Sequence, residues 1–182
     1  MNTIAAIMVS LPERHDLLVE ALGSVHRQTR APDDTVIGID PRRYGEVANF
    51  NRLIASTDCE WVALLDDDDI WLPEHLAVCE KYMDEADVIV SRYDLIGRPW
   101  NTIEPWHENF EDLRWTNWIG SPSMVVARRS LMEFVNPDQQ YRWVDHSTYN
   151  SLLDKGARFV DTRTVTTQYR FGPWSNGSWN AS

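Results

Sequence analysis

The sequence predicts an α/β fold, a single Rossmann-like domain in which a mostly parallel central sheet carries helices on both faces. Short apolar runs rich in Ile and Val alternate with segments whose apolar residues recur every three or four positions. Acidic residues follow two of the apolar runs, at the strand ends where α/β folds bind ligands. No repeat or linker divides the 182 residues, so we expect one domain over 1–182.

Each predicted strand is a short apolar run, and each predicted helix has one apolar face. The first half predicts a strand at 3–10, a helix at 16–28, a buried strand at 35–39, a helix at 47–57, a strand at 60–65, a helix at 73–83 and a strand at 86–91. The less regular second half predicts a strand at 121–127, a short helix at 128–135, a helix at 144–156 and one or two strands over 157–172.

The charge balance excludes several partners. The chain has 17 basic and 28 acidic residues, and its net charge of −11 repels nucleic acids and anionic membranes. DNA would bind only through a local cluster of Arg42, Arg43, Arg128 and Arg129. Without a leader-like opening or a run of about 18 apolar residues, we expect a cytoplasmic protein with no membrane span. The two cysteines are expected to be buried free thiols.

Four consecutive aspartates, Asp66 to Asp69, follow the third predicted strand in "WVALLDDDDIWLPEHL". Neighbouring carboxylates repel one another, so the cluster indicates a bound cation. Oxygen ligands suit Mg²⁺ or Mn²⁺, which take their other ligands from water and phosphate groups. For Asp69 alone, capping of the next helix is an alternative. A calcium loop of the EF-hand type fits worse, because the required glycine and glutamate are missing.

This stretch resembles the strand, D-x-D-D, aromatic and proline motif of family-two glycosyltransferases of the A-type fold. "IMVSLPERHDLLVEALGSVHRQT" is similar to the first strand and helix of that family, and "TVIGID" to its second strand. "NFNRLIASTDCEW" resembles the helix ahead of the metal motif. The similarity covers roughly residues 3–171 and is strongest around the aspartates.

The resemblance implies a nucleotide-sugar donor and a Mn²⁺ or Mg²⁺ cofactor. It places Asp40 on the nucleobase, Asp66 on the ribose side and Asp68, with Asp66, on the metal that bridges the diphosphate. The residues it assigns to nucleotide-sugar binding are Pro12, Glu13, Asp40, Asn51, Asp66, Asp67 and Arg170. Asp40 could instead be a turn residue before Pro41.

The base of that family is the aspartate of an acidic pair that opens a late helix. "RWVDHSTYNSLL" keeps the aspartate as Asp145 but has Val144 where glutamate is usual. From the residues alone, Asp145 could be a helix N-cap, and His146 is a rival base because imidazole titrates near neutrality. The alignment favours Asp145 as the catalytic base.

The late "YR" element of the family places Arg170 on the diphosphate, although a histidine common downstream is absent here. A solvated strand-end charge is the alternative for Arg170. Nine tryptophans are many for this length, and an aromatic face on a loop can stack on a sugar ring. We therefore predict an acceptor loop over 100–118. The tryptophans in segments without clear periodicity are Trp100, Trp106, Trp115, Trp118 and Trp174.

The resulting hypothesis is a metal-dependent inverting glycosyltransferase that moves a sugar from a UDP-sugar to an acceptor hydroxyl. Residues 1–95 would bind the donor, and residues 96–182 would hold the acceptor and the base. The acceptor could be a protein, a glycan, a lipid head group or a modified nucleobase. The main alternative is a degenerate module that binds sugar nucleotides or glycans without catalysis. A metal-dependent nucleotidyltransferase fits less well because "SLPERHD" has no glycine-rich loop, and a nuclease conflicts with the acidic charge.

Overall fold

A computed structural model describes residues 2–96, 107–137, 140 and 143–170. These residues form a seven-stranded sheet in the order β2-β1-β3-β6-β5-β7-β4. The strands are β1 (Ile4–Ser10), β2 (Asp34–Ile39), β3 (Trp61–Asp66), β4 (Ile70–Trp71), β5 (Val88–Ile96), β6 (Val125–Arg128) and β7 (Phe159–Arg170). The helices are α1 (His15–His26), α2 (Glu46–Ile54), α3 (His75–Glu80) and α4 (Val144–Asp154).

The strand directions confirm the predicted α/β class. β1 pairs in parallel with β2 and β3, and β5 pairs in parallel with β7. β6 runs antiparallel to both β3 and β5, and β4 runs antiparallel to β7. Strands β1, β2, β3, β5 and β7 therefore share one direction, so the sheet is mixed but mostly parallel. Their C-terminal ends lie at one edge, where α/β folds bind ligands.

Helices pack on both faces of the sheet, as predicted. Along β1, Ile4, Ala6 and Met8 face one apolar cluster, which includes residues of α1 and α3. Ala5, Ile7 and Val9 face the other cluster, which includes residues of α2 and α4. This alternation follows from the two-residue period of a strand, and it explains why every residue of β1 is apolar or small and buried.

Three local predictions were wrong. The predicted helix at 128–135 is a single turn followed by irregular chain, in which the amide of Asn51 holds both backbone polar groups of Phe134. Strand β2 is largely exposed because it lies at the edge of the sheet. Strand β4 was missed, and its two residues are too few to produce a period.

The remaining elements lie close to their predicted positions. The region predicted as a strand at 121–127 opens with a 3-10 turn, Pro122–Met124, before β6 begins. Helix α4 ends two residues before Gly156, whose φ of +74° is the conformation that glycine adopts most readily. Cys59 and Cys79 are free and buried, as predicted. Among the described residues, no helix is both long and apolar enough to cross a membrane.

Candidate active site

The aspartate cluster occupies the turn that follows β3. Asp66 ends the strand, and the backbone N–H of Asp69 donates to the carbonyl of Asp66 at 3.2 Å. This turn directs three carboxylates to one place: one oxygen each of Asp66, Asp68 and Asp69 lies within 4.8 Å of the others. The sequence predicted Asp66 and Asp68 as metal ligands, and the structure adds Asp69 to this group.

A serine from the far side of the site contacts two of these carboxylates. Ser121 Oγ lies 2.8 Å from Asp66 Oδ2 and 2.9 Å from Asp69 Oδ2. A hydroxyl has one proton to donate, so it cannot satisfy both carboxylates when both are ionised. Asp69 also accepts a hydrogen bond from the backbone N–H of Arg170 at 2.9 Å. The N-cap of α3 is Glu74, so the helix-cap role considered for Asp69 was wrong.

Asp67 and Asp68 share a buried arginine that the sequence analysis did not single out. Arg14 places one guanidinium nitrogen 2.8 Å from Asp67 and 2.6 Å from Asp68. Asp67 also accepts a hydrogen bond of 2.5 Å from the hydroxyl of Ser10 at the end of β1. Asp67 is therefore engaged by the protein itself, whereas Asp68 keeps an oxygen near Asp66 and Asp69.

The cluster carries more negative charge than its neighbours neutralise. Burial, followed by repulsion from Asp68, raises the pKa of Asp69 to about 7. Burial raises the pKa of Asp67 to about 6, against the opposing effects of Ser10 and Arg14. Burial and repulsion from neighbouring carboxylates also raise the pKa of Asp66 well above its usual range. An oxygen-ligand set of this kind fits a divalent cation such as Mg²⁺ or Mn²⁺, which would stabilise the ionised forms.

Arg170 reaches the same turn from the end of β7. Its Nε donates to the carbonyl of Asp68 at 2.8 Å, and its guanidinium contacts Glu20 of α1 at 2.7 Å. These contacts exclude the alternative of a strand-end charge in contact with solvent alone. They place a cation beside the aspartates, as the resemblance implied. The diphosphate contact predicted for Arg170 stays a prediction.

Asp145 lies in the first turn of α4, and its carboxylate is held by two hydrogen bonds. Asn117 Nδ2 donates to Asp145 Oδ2 at 2.7 Å, and the backbone N–H of His146 donates to Asp145 Oδ1 at 2.8 Å. The helix N-cap is Trp143, so the capping role considered for Asp145 was wrong. Burial, the largest effect, raises the pKa of Asp145.

The side chain of His146, the rival base, is buried in the protein. Its Nε2 lies 2.5 Å from the carbonyl of Leu113, and the residue is 8% exposed. Asn150, one turn further along α4, donates to the same carbonyl at 2.9 Å. His146 therefore anchors α4 against the 3-10 turn Phe110–Arg114 through its Nε2.

The short segment from Asn117 to Ser121 connects the base to the aspartate cluster. Asn117 contacts Asp145, and Ser121, four residues later, contacts Asp66. Four residues span at most about 14 Å between their Cα atoms, so one short segment contacts both carboxylates. Gly120 within this segment has a φ of +94°, a backbone conformation that favours glycine.

The pKa values of two further groups, Tyr149 and Glu46, are affected by the charges near Asp145 and the aspartate cluster. The pKa of Tyr149, which is buried, is raised by burial and by the charges of Asp145, Asp66 and Glu46. Burial and then the charge of Asp145 raise the pKa of Glu46 to about 7. Glu46 opens α2, so three different elements contribute carboxylates to this edge of the sheet.

Asp40 follows β2 at the same edge and organises the next loop. Its Oδ2 accepts hydrogen bonds from the backbone N–H of Gly45 at 3.1 Å and from Asn49 Nδ2 at 2.8 Å. These bonds give Asp40 the turn role that the sequence left open. Its predicted contact with a nucleobase is a separate role that stays a prediction.

The other residues predicted to bind the nucleotide have different surroundings. Pro12 and Glu13 form a 3-10 turn that follows β1, and Glu13 makes an exposed ion pair with Arg43. Asn51 is fully engaged, because its amide both donates to and accepts from the backbone of Phe134 at 2.8 Å. The structure therefore gives Asn51 an evident role in holding the chain at Phe134.

Sequence reasoning missed Arg14, Asn117, Ser121 and Glu46. Arg14 and Glu46 lie just past β1 and β2, so their placement after predicted strands was an available signal. The segment from Asn117 to Ser121 has no period, and its two contacts span 28 and 55 residues of sequence. No local pattern could have identified those two side chains.

The predicted tryptophan loop falls partly outside the described residues, which do not include Trp100, Trp106 and Trp174. Trp118 is buried and packs against Phe110. Trp115, in contrast, is 84% exposed. Of the two tryptophans described in this loop, one is thus part of the core and the other is at the surface.

Comparison with known structures gives the same fold. S. aureus TarS 1-349 in complex with UDP-GlcNAc superposes with a TM-score of 0.67 at 14% identity, over 100% of this chain and 61% of that chain. The same protein in complex with UDP gives 0.67 at 16% identity, over 95% of this chain and 61% of that chain. The chain thus spans about three fifths of the length of these structures. The identities are too low to show more than the fold.

A comparison with curated proteins gives no match. The family described as "Glycosyl transferase family 2" matches residues 35–138. This match covers more than half of the chain, and it includes β2, α2, the aspartate turn and the segment from Asn117 to Ser121. The resemblance inferred from the aspartate motif is confirmed. The chain belongs to glycosyl transferase family 2.

Proposed function

We propose that this protein is a metal-dependent inverting glycosyltransferase that transfers a sugar from a UDP-sugar to an acceptor hydroxyl. The observation that carries the proposal is the pairing of two acidic groups across one sheet edge. On one side, Asp66, Asp68 and Asp69 bring three carboxylate oxygens within 4.8 Å of one another. On the other side, the half-buried carboxylate of Asp145 is held at 2.7 Å by Asn117.

The donor half consists of residues 1–95. Asp40, Pro12 and Glu13 would contact the nucleoside, and Asp66 the ribose side. Asp66 and Asp68, with Asp69 beside them, would hold Mn²⁺ or Mg²⁺, which neutralises diphosphate charge when bound. The complexes of S. aureus TarS with UDP and UDP-GlcNAc support a uridine nucleotide as donor for this fold.

The acceptor half consists of residues 96–182 and contains the base. Asp145 would accept the proton of the acceptor hydroxyl as its oxygen attacks the anomeric carbon and the bond to the nucleotide phosphate breaks. A single in-line displacement inverts the anomeric configuration. Asn117 orients the carboxylate, and burial raises the pKa of Asp145, which makes it a better proton acceptor near neutral pH.

Two arginines can stabilise the departing diphosphate. Arg14 lies against Asp67 and Asp68, and Arg170 contacts the carbonyl of Asp68. Both cations are thus within contact distance of the turn that would hold the metal. Positive charge placed where negative charge develops is a main source of catalytic stabilisation.

The test is UDP release from a panel of UDP-sugars in the presence of Mn²⁺, with and without acceptors, together with calorimetry of UDP binding. Activity with at least one donor, absent after chelation, supports the proposal. Metal-assisted UDP binding without any turnover would instead support a catalytically degenerate binding module. The absence of both would refute a nucleotide-sugar site. Release of pyrophosphate as the product, in place of UDP, would indicate a nucleotidyltransferase.

A further inference from the structure

We propose that Ser121 is a positioning residue of the cation site, which we define as the carboxylates of Asp66, Asp68 and Asp69. Its hydroxyl holds the carboxylates of Asp66 and Asp69 in the arrangement that binds the divalent cation. The inference rests on the proposed function, since it concerns the same metal-dependent site. It gives Ser121 an indirect role, because the carboxylates and not the hydroxyl would contact the cation.

The pairing of β6 with β3 brings Ser121 to the aspartates. The two strands are antiparallel, with Ala63 opposite Val126. The chain that enters β6 therefore meets the chain that leaves β3. Ser121 lies four residues before β6, and Asp66 is the last residue of β3. The strand pairing thus places a serine beside carboxylates that lie 55 and 52 residues earlier in the sequence.

The position of Ser121 is fixed by contacts that do not involve the carboxylates. Ser121 is the N-cap of the 3-10 turn Pro122–Met124, and its Oγ accepts a hydrogen bond from the backbone N–H of Ser123 at 3.1 Å. The carbonyl of Ser123 accepts hydrogen bonds from the indole of Trp71 at 2.8 Å and from the hydroxyl of Thr167 at 3.3 Å. Ser121 is 4% exposed. Its hydroxyl therefore contacts the aspartates from a rigid, buried turn.

The same turn fixes two of the three carboxylates. Ser121 Oγ lies 2.8 Å from Asp66 Oδ2 and 2.9 Å from Asp69 Oδ2. Like charges repel at this spacing, since one oxygen of each clustered carboxylate lies within 4.8 Å of the others. The Oγ of Ser123 also accepts a hydrogen bond from the backbone N–H of Asp66 at 2.9 Å. The turn thus holds the main chain and the side chain of Asp66, together with the side chain of Asp69.

The number of protons available indicates that a cation completes this arrangement. The hydroxyl of Ser121 has one proton, so it can donate to Asp66 or to Asp69 but not to both. When both are ionised, one of the two short contacts lacks a proton and leaves negative charge to be neutralised. A divalent cation with oxygen ligands supplies the opposite charge. Hydrogen bonds to metal ligands orient those ligands, and loss of such a partner lowers metal affinity roughly 10- to 100-fold.

The alternative is that Ser121 serves the fold alone, as the N-cap of the 3-10 turn. Loss of a cap lowers stability. A purely structural loss, however, leaves the affinity of the folded protein for a cation unchanged. The two roles are therefore separated by a binding constant and not by a melting temperature.

The test uses the full chain and its Ser121→Ala and Ser121→Thr variants, with Mn²⁺ as the probe. Electron paramagnetic resonance of free aqueous Mn²⁺ gives the Kd, with and without UDP. We expect Ser121→Ala to raise this Kd about tenfold or more, and Ser121→Thr, which keeps the hydroxyl, to restore most of the affinity. In transfer assays, the Mn²⁺ concentration for half-maximal rate should rise by a similar factor. The rate at saturating Mn²⁺ should stay within about twofold of the wild type.

Ser91→Ala is the matched control. Ser91 is fully buried in β5, and its hydroxyl lies 3.1 Å from that of Thr167. This variant loses a buried hydroxyl of the same kind and should keep the wild-type Kd for Mn²⁺. Ser121→Gly is a second variant without the hydroxyl, since glycine is tolerated at an N-cap. Circular dichroism gives the folded fraction of each variant, and each Kd is referred to the folded protein.

The outcomes separate this inference from the proposed function. If the wild type binds Mn²⁺ and the alanine and glycine variants of Ser121 bind it equally well, the inference fails and the proposed function stands. If Mn²⁺ binding depends on Ser121 but no UDP-sugar is turned over, the proposed function fails and the inference stands. If the wild type binds Mn²⁺ neither alone nor with UDP, both fail.

Discussion

The carboxamide of Asn117 donates a 2.7 Å hydrogen bond to the carboxylate of Asp145. This bond holds a half-buried carboxylate in the first turn of α4. An ionised carboxylate only accepts hydrogen bonds. The donating amide of Asn117 can therefore orient Asp145 in its ionised form. This geometry supports the roles proposed for the pair, Asp145 as base and Asn117 as its positioning residue.

The first prediction concerns Asp145→Asn, which keeps the shape of the side chain and removes its basicity. We expect the rate of sugar transfer to fall at least 100-fold, in the range typical of a lost general base. The Kd for UDP with Mn²⁺, measured by calorimetry, should stay within about twofold of the wild type. Asp154→Asn is the control, since Asp154 lies on the same helix and is exposed. A fully active Asp145→Asn variant would refute the assignment.

The second prediction concerns the metal. Mn²⁺ with UDP at about 100 times Kd should stabilise the fold by about 2.7 kcal/mol, which raises Tm by roughly 5–10 °C. Asp68→Asn and Asp69→Asn should lose most of this increase, because each removes one of the three clustered carboxylates. Thermal unfolding with and without the two ligands measures the effect. Asp84→Asn, an exposed aspartate outside the cluster, should keep the full increase.

The third prediction is a pH-dependent stability. Folding raises the pKa of Glu46 from 4.5 to about 7, so the folded state binds its proton more tightly than the unfolded state. Ionised Glu46 then costs stability, and this cost appears progressively as pH rises from about 4.5 to about 7. We expect Glu46→Gln to be about 2 kcal/mol more stable than the wild type at pH 8 and nearly equal at pH 4.5. Urea unfolding at several pH values measures the difference, and a constant difference would contradict it.

The fourth prediction concerns Arg14, which lies 2.8 Å from Asp67 and 2.6 Å from Asp68. Removing one partner of a buried ion pair leaves unpaired charge, so Arg14→Ala should cost about 3 kcal/mol of unfolding free energy at pH 8. The loss should shrink as pH falls towards 6, because burial raises the pKa of Asp67 and Arg14 limits it to about 6, so the carboxyl of the variant takes up a proton at a higher pH. Chemical unfolding provides the measurement. Arg27→Ala, at the exposed end of α1, should change stability little at either pH.

The fifth prediction uses two glycines with positive φ. A side chain at Gly120 would be strained by its φ of +94° and would place Cβ 3.3 Å from Tyr93. At Gly156, φ is +74° but no atom lies within 4 Å of a new Cβ. Both alanine variants should lose about 1–2 kcal/mol of stability. Only Gly120→Ala should also reduce transfer activity, since it shifts the segment that connects Asp145 with Asp66. Equal transfer activities of the Gly120→Ala and Gly156→Ala variants, each expressed per folded molecule, would contradict this prediction.

The elements that show a regular spacing of apolar residues could be predicted from the sequence. The alternation of apolar runs and helical periods gave β1, α1, α2 and β3 nearly at their observed bounds. The four aspartates were predicted as a cation site because they follow a strand end, and the resemblance selected Asp66 and Asp68 among them. Asp145 could be identified by resemblance only, because aspartate near the start of a helix is common.

The parts that depend on long-range contacts were not predictable. Strand β4 has two residues and exists because β7 pairs with it. The helix expected at 128–135 is replaced by irregular chain where Asn51, 83 residues earlier in the sequence, binds both backbone groups of Phe134. Ser121 and Asn117 likewise gain their roles from partners in other elements. Tertiary contacts outweighed local preference at each of these positions.

The buried thiol of Cys79 can be used to detect opening of the folded chain. Cys79 lies in α3 with no exposed surface, and burial raises its pKa to about 12, so the folded chain presents almost no reactive thiolate there. Modification of Cys79 by an alkylating reagent must therefore wait for α3 to detach or for the whole chain to unfold. The rate at which Cys79 is labelled can be measured with and without bound nucleotide. The difference would show how strongly a nucleotide at the C-terminal edge of the sheet restrains the opening of α3, which packs on a face of the same sheet.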